Sequence, residues 1–239
     1  MFPYREVIHV QPNKKIHHLD LIKKAEQILT SERQKKIRKV AVERCFAVQV
    51  VLENIYDRGN ASAVMRTAEA LGFTQFNLIE TGEKFKNANR VTQGAEKWID
   101  VNKWKTTGDC IQNLKKNGYQ IVVTHLDERA KPISEIDFSK PTAFVLGNEK
   151  DGISAEMMGL ADYKVIIPMS GFVQSFNISV AGALGLYHIY QDRCQRLGKC
   201  ADVSVEQTEI LTAEYYARSI DSLDKQIEIW LGRGEIKKV

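Results

Sequence analysis

The chain has 239 residues, of which 44% are hydrophobic and 27% charged, as in soluble globular domains. That excludes a disordered protein, which lacks the apolar surface needed to offset chain entropy. Cys45, Cys110, Cys194 and Cys200 form no CxxC pair and meet no His at metal-finger spacing. The pattern argues against structural zinc, and no metal is expected. Met1 to Val10 carries Arg5, Glu6 and His9, unlike an export signal, so a cytoplasmic protein with reduced thiols is expected.

The net charge of +4 is unevenly placed. Residues 1–44 hold 11 Lys/Arg against 5 Asp/Glu, a balance of +6 that leaves −2 for the rest. The charge is densest in Arg33, Lys35, Lys36, Arg38 and Lys39, with Arg44 beyond. A basic arm beside a near-neutral body attracts a phosphate backbone; a solvated helix face is the other reading.

In chain order, Asp20 is expected to cap a helix through Leu21, Ile22, Ala25, Ile28 and Leu29, with a break at Thr30-Ser31. Phe46 to Leu52 reads as a buried strand ending in Glu53-Asn54. A turn over Tyr56 to Asn60 leads into a helix, Ala61 to Leu71, stopped by Gly72. Phe76 to Ile79 is a short strand, Asp109 to Lys116 a helix, and Tyr119 to His125 and Thr142 to Leu146 are strands. A helix starts at Ser154, a strand covers Lys164 to Ile167, and a long helix runs from Asn177 to Arg193. Beyond Gly198 the chain is polar to Thr208, then helical to about Trp230.

Val165 to Gln191 lacks Lys, Arg, Asp and Glu, yet Pro168, Gln174, Ser175, Asn177 and several glycines break its apolar character, so no membrane segment is read there. Continuously apolar strands alternating with helices predict an α/β fold, a parallel sheet with helices on both faces. Helical N- and C-terminal extensions would flank it, with boundaries at 1–45, 46–196 and 197–239.

In such sheets ligands bind beyond the carboxyl ends of the strands. Three strand ends here carry polar loops: Asn54 to Asn60 leading to Arg66, Leu146 to Gly152, and Ile167 to Ser179. None is GxGxxG or GxxxxGK[ST], and neither HExxH nor GxSxG occurs, so the common nucleotide cradles and hydrolase sites are missing. Each loop also has a plain structural reading. Gly147 and Gly152 would serve a turn with positive φ, Arg66 would snorkel or pair with Glu69, and Ser175 or Asn177 would cap a helix.

Taken together, Asn60-x5-Arg66, Gly147-Asn-Glu149-x2-Gly152 and Ile167-Pro-Met-x-Gly171-x3-Ser175-x-Asn177-x-Ser179 resemble the three ordered motifs of the SPOUT family of RNA 2′-O-methyltransferases. The likeness spans Phe46 to about Arg193, and Thr92 to Trp98 is similar to a segment between the first two motifs in the family's tRNA guanosine branch. The resemblance implies a deep trefoil knot, a homodimer and S-adenosyl-L-methionine as cofactor. The implied reaction is methylation of a tRNA guanosine, the D-loop nucleotide 18. A ribosomal-RNA methyltransferase and a non-catalytic RNA-binding relative stay as alternatives.

By the same resemblance the catalytic set is Arg66, Asn60, Glu149, Ser175 and Asn177. The cofactor would lie against Thr124, Leu146, Gly147, Asn148, Gly152, Ile167, Met169 and Phe176. tRNA would be gripped by Arg33, Lys35, Lys36, Arg38, Lys39, Arg44 and Arg58. The uncharged helix from Ile178 to Ile189 reads as a dimer surface or as part of its own core. Arg58-Gly59 stands where relatives often have Pro-His, and Phe176 where Leu is common.

Overall fold

The computed structural model describes residues 1–11, 14–81, 94–126 and 130–237. It divides into two compact units, one made of Met1–Arg44 with Ala201–Val239 and the other of Cys45–Cys200.

The first unit opens on an element that the sequence reading missed. β1 (Val7–Gln11) and β2 (Lys14–His17) form an antiparallel hairpin in which Ile8 faces Ile16, both buried. α1 (His18–Ala25) follows at once, and its cap is His17, whose ring accepts from Leu19 N–H; Asp20 lies inside the first turn instead. There its carboxylate suits the positive end of the helix dipole. The helix also stops at Ala25, short of Ile28 and Leu29. The break expected at Thr30-Ser31 is present: Thr30 caps α2 (Ser31–Ala41) by accepting from Arg33 N–H at 3.3 Å.

The second unit carries the sheet. In chain order come β3 (Cys45–Glu53), α3 (Arg58–Ala70), β4 (Phe73–Ile79), β5 (Asp100–Trp104), α4 (Thr107–Lys116), β6 (Gln120–Thr124), β7 (Lys131–Pro132), β8 (Thr142–Leu146), α5 (Ala155–Leu160), β9 (Tyr163–Ile166) and α6 (Ile178–Leu197). The strands lie in the order β5-β4-β3-β8-β6-β9-β7, and every neighbouring pair is parallel. β5 and β7 escaped the sequence reading. β5 is an edge strand with exposed Asn102 and Lys103, and β7 is two residues long, so neither carries an apolar run.

Both faces of the sheet are covered, which is why β4 and β8 are buried along their whole length. One core gathers Val64, Met65, Leu186 and Ile189 from α3 and α6; the other gathers Cys110, Ile111, Leu114 and Met157 from α4 and α5. None of the four cysteines is in a disulfide, and burial pushes the Cys110 thiol up to about 12, with the Glu53 charge adding to it. α6 has a buried side and an exposed apolar side. Ile178, Gly182, Gly185, Leu186 and Ile189 are buried, while Val180, Leu184 and Tyr187 are exposed apolar residues.

The chain then returns to the first unit. α7 (Val205–Ser219), closed by a capping box between Ser204 and Gln207, packs on α1 and α2, and α8 (Leu223–Gly232) packs on the hairpin. Among the described residues no helix is long and apolar enough to cross a membrane.

Candidate active site

The strand order reverses at β3, since β4 and β5 continue to one side of it and β8, β6, β9 and β7 to the other. β3 and β8 are neighbours in register, with Leu52 opposite Leu146, so the loops that follow them emerge side by side. This is the switch point where open α/β sheets bind ligands.

The loop after β8 is a tight hairpin of its own. Asn148 and Gly152 exchange two backbone hydrogen bonds, of 2.8 and 2.9 Å, and Gly152 holds φ at +70°. Gly147 does not have a positive φ; it is required for space. A Cβ there would stand 2.5 Å from the carbonyl carbon and oxygen of Gly152, both backbone atoms. The side chain of Asn148 staples this turn, donating to Asn54 O and accepting from Lys150 and Asp151 N–H. Its polar atoms are therefore committed to the loop, although the residue lines the cavity.

One hydrogen-bonded relay ties the three motif loops together. Glu149 Oε2 accepts from Tyr56 N–H at 2.9 Å, and Oε1 from Asp57 N–H at 3.2 Å and Asn60 Nδ2 at 3.0 Å. Asn60 Oδ1 in turn accepts from Asn177 Nδ2 at 3.1 Å. Asn177, rather than Ser175, caps α6, accepting from Ser179 N–H at 2.8 Å. Burial alone would raise the Glu149 pKa, but the Asn60 amide and the N–H donors of the loops outweigh it and hold the carboxyl below its ordinary value.

Beside this relay lies a cavity of about 510 Å³. All eight residues expected against the cofactor line it: Thr124, Leu146, Gly147, Asn148, Gly152, Ile167, Met169 and Phe176. Of the expected catalytic residues, Glu149, Ser175 and Asn177 also line it, and Asn60 is bonded to two of them. Arg66 is not brought in. It stands exposed on α3, six residues past Asn60, hence about 9 Å along the axis and turned well away from it. Its guanidinium has no partner among the described residues, so of the two plain structural readings of Arg66 the pairing with Glu69 is not made.

Sequence reasoning missed the support beneath the site. Glu53, at the end of β3, is 1% exposed and meets no cation among the described residues. Its Oε1 accepts from Thr107 Oγ1 and Ser154 Oγ, both at 2.7 Å, and its Oε2 from Ser154 N–H at 2.9 Å. Ser154 also caps α5, so one buried carboxylate anchors the far end of the Gly147–Gly152 loop. An acid directly after the apolar run Val50-Val51-Leu52 was the available signal.

The basic residues separate on inspection. Lys35, Lys36 and Lys39 are exposed on α2, and Arg58 is exposed at the first residue of α3. Arg33 is half-buried, and Arg38 is bonded to Glu26 with the Tyr216 ring 5.9 Å away. Arg44 has to be withdrawn as an RNA contact. It is 3% exposed, with its guanidinium 5.5 Å from the centre of the Tyr215 ring, and cannot meet a phosphate there. Thr92 and Gln93, the start of the segment between the first two motifs, lie outside the described residues; Ala95–Lys97 is a 3₁₀ turn.

An all-parallel sheet whose second and third motif loops line one cavity, with the first loop bonded to both, agrees with the SPOUT-type α/β methyltransferase that the motif resemblance implies. The SpoU rRNA Methylase family profile matches residues 47–187. The tRNA (guanosine(18)-2'-O)-methyltransferase of Escherichia coli K12 is 37% identical over 161 residues, which is 67% of this chain and 70% of that protein. Among solved structures, the A. aeolicus TrmH/SpoU tRNA modifying enzyme superposes with a TM-score of 0.71 at 32% identity, over 79% of this chain and 96% of that one. The AdoMet-bound rRNA methyltransferase from Sinorhizobium meliloti superposes with a TM-score of 0.57 at 28% identity, over 65% and 59%. The chain belongs to the SpoU methylase family.

Proposed function

We propose that this protein transfers the methyl group of S-adenosylmethionine to the ribose 2′-hydroxyl of guanosine-18 in the D-loop of tRNA, in the cytoplasm. The observation that carries the reading is a cavity lined by the second and third motif loops, to both of which the first loop is bonded through Asn60, at Glu149 and at Asn177. The relatives named for guanosine-18 methylation of tRNA, at 34–39% identity, support the substrate.

The cavity fits the cofactor. About 510 Å³ is the size of a small-molecule site, its wall is partly apolar, and Gly147 leaves backbone exposed where a Cβ would intrude. Leu146, Ile167, Met169 and Phe176 would hold the adenosine, with main-chain groups of the loops serving its polar edge. When bound, the cofactor supplies an electrophilic methyl on a sulfonium, so the leaving group is neutral. The chain's own task is then chiefly alignment of the ribose oxygen, which can lower a barrier by roughly 7–11 kcal/mol. Ser175 and Asn177 stand where the ribose would enter, and Asn60 and Glu149 fix Asn177.

Arg66 is essentially never deprotonated at a guanidinium, so its role is a cation's. It would clamp the adjacent phosphate bidentately and stabilise the developing alkoxide. Its place off the cavity of its own chain supports a homodimer in which a second copy supplies it. The exposed apolar residues Val180, Leu184 and Tyr187 on α6 offer the contact surface. The unit formed by the two chain termini, with Lys35, Lys36 and Lys39 on its surface, is read as the tRNA grip, and the Cys45–Cys200 unit as the knotted catalytic domain.

The test is purified protein, labelled S-adenosylmethionine and an unmodified tRNA transcript, followed by nucleoside analysis. The expected product is 2′-O-methylguanosine in the D-loop. Labelling of ribosomal RNA alone would overturn the substrate, and transfer to neither would overturn the reaction.

A further inference from the structure

Tyr56 is 88% exposed in the loop between β3 and α3, yet the backbone beneath it is fixed. Its own N–H and that of Asp57 are bound by Glu149, and Asp57 Oδ1 accepts from Gly59 N–H at 2.7 Å. Two residues earlier Asn54 holds φ at +51°, a left-handed conformation that residues other than glycine seldom adopt. That conformation is secured on both sides, because Asn54 O accepts from Asn148 and Asn54 Oδ1 accepts from the N–H and hydroxyl of Thr81. Asn is the side chain best suited to that conformation, and with these bonds it fixes the course of the loop that carries Tyr56.

The result is an aromatic ring displayed to solvent from a rigid base, with its backbone nitrogen 2.9 Å from a carboxylate of the cavity wall. Arg58, also exposed, follows two residues later, while the intervening Asp57 is occupied as the α3 cap. Phe172 is exposed as well, but Ser170 to Gln174 around it make no hydrogen bond among the described residues. That loop leads directly into the apolar stripe of Val180, Leu184 and Tyr187, so Phe172 and Val173 go with the surface assigned above to a second copy.

Placing a ribose hydroxyl inside a cavity requires its nucleotide to leave the stack of its neighbours, and the base then needs a replacement surface. We propose that Tyr56 is this surface: the purine of the target nucleotide stacks on the Tyr56 ring while its ribose enters beside Ser175 and Asn177. Arg58 is placed to meet a flanking phosphate. The inference rests on the RNA methyltransferase reading and adds a base-binding position to it.

The test compares the whole protein with Tyr56→Ala and Tyr56→Phe on the unmodified tRNA transcript at saturating S-adenosylmethionine. Loss of one base–aromatic stack corresponds to roughly 5- to 150-fold. Tyr56→Ala should lower kcat/KM for tRNA by about that factor, leave cofactor affinity and Tm unchanged, and be restored within about threefold by Tyr56→Phe. Because the side chain is exposed and only its backbone bonds, misfolding does not confuse the result. An alanine variant within twofold of the parent overturns the platform, and so does a Tyr56→Phe variant as impaired as alanine, which would make the hydroxyl the active group. In both cases the parent enzyme still methylates tRNA; if it does not, the functional reading itself has failed.

Discussion

Removing Glu53 tests whether the motif loop is held from beneath. Glu53→Ala strands three donors, Thr107 Oγ1, Ser154 Oγ and Ser154 N–H, in a site that is 1% exposed. A buried donor left without a partner costs about 1–3 kcal/mol. The two hydroxyls can rotate toward other acceptors, whereas the Ser154 N–H cannot, so the full sum is not reached. Relief from burying a charge without a cation acts the other way. The balance is a destabilisation of about 3 kcal/mol, which for a chain of this size lowers Tm by roughly 6–12 °C. Glu53→Gln keeps one acceptor oxygen but turns an amide N–H₂ toward a donor, and should fall between parent and alanine. Ser154→Ala should be strongly non-additive with Glu53→Ala, because the two share bonds. Thermal denaturation and calorimetric titration of S-adenosylmethionine would be run together, with weaker cofactor binding expected alongside the lower Tm. A Glu53→Ala protein melting within 2 °C of the parent would refute the argument that this carboxylate anchors the loop.

Gly147→Ala forces a Cβ against backbone atoms 2.5 Å away and should cost about 1–3 kcal/mol, with cofactor binding lost in a titration. Arg66→Ala should reduce kcat on tRNA by about 10²–10³-fold, the scale of losing one charge-stabilising donor. Since Arg66 does not line the cavity, cofactor affinity should be unchanged, and Arg66→Lys should remain well below the parent because it cannot clamp a phosphate bidentately. The Glu149 carboxyl is held below its ordinary value of 4.5, so its bonds persist above that pH and are lost only as pH falls through the lowered value. Cofactor affinity followed downward in pH should therefore hold through 4.5 and collapse below it; a midpoint above 4.5 would contradict the bonding described.

The central architecture was legible because it is written in runs of apolar residues. Phe46 to Leu52 and Thr142 to Leu146 have to be buried on both faces, and that dictates parallel strands under helices. The elements that escaped have no such runs. β5 is half polar because it is an edge, and the N-terminal hairpin has a single buried pair, Ile8 and Ile16. Arg44 was misassigned because charge density along the sequence carries no direction; the side chain lies against Tyr215, 171 residues away. For the site, the motif resemblance pointed to Glu149, Asn60 and Asn177, but the relay joining them depends on β3 and β8 being neighbours, which no local pattern states.

Glu53 and Glu149 show how the site divides its labour. Neither meets a Lys or Arg among the described residues; both are held by N–H and O–H donors. Neutral donors fix a carboxylate's geometry without cancelling its charge at longer range, which a bound cation would do. For a reaction that places a sulfonium in the adjacent cavity, a retained negative potential is an asset, and it strengthens where water is excluded. The two acids differ in exposure, however, and so in what each can lose. Buried Glu53 has only the fold to answer to, and its removal should appear first as heat lability. Exposed Glu149 orders the loops proposed above to meet substrate, so substituting it should cost turnover before it costs Tm, and that opposite ordering is what separates a foundation from a hinge pin.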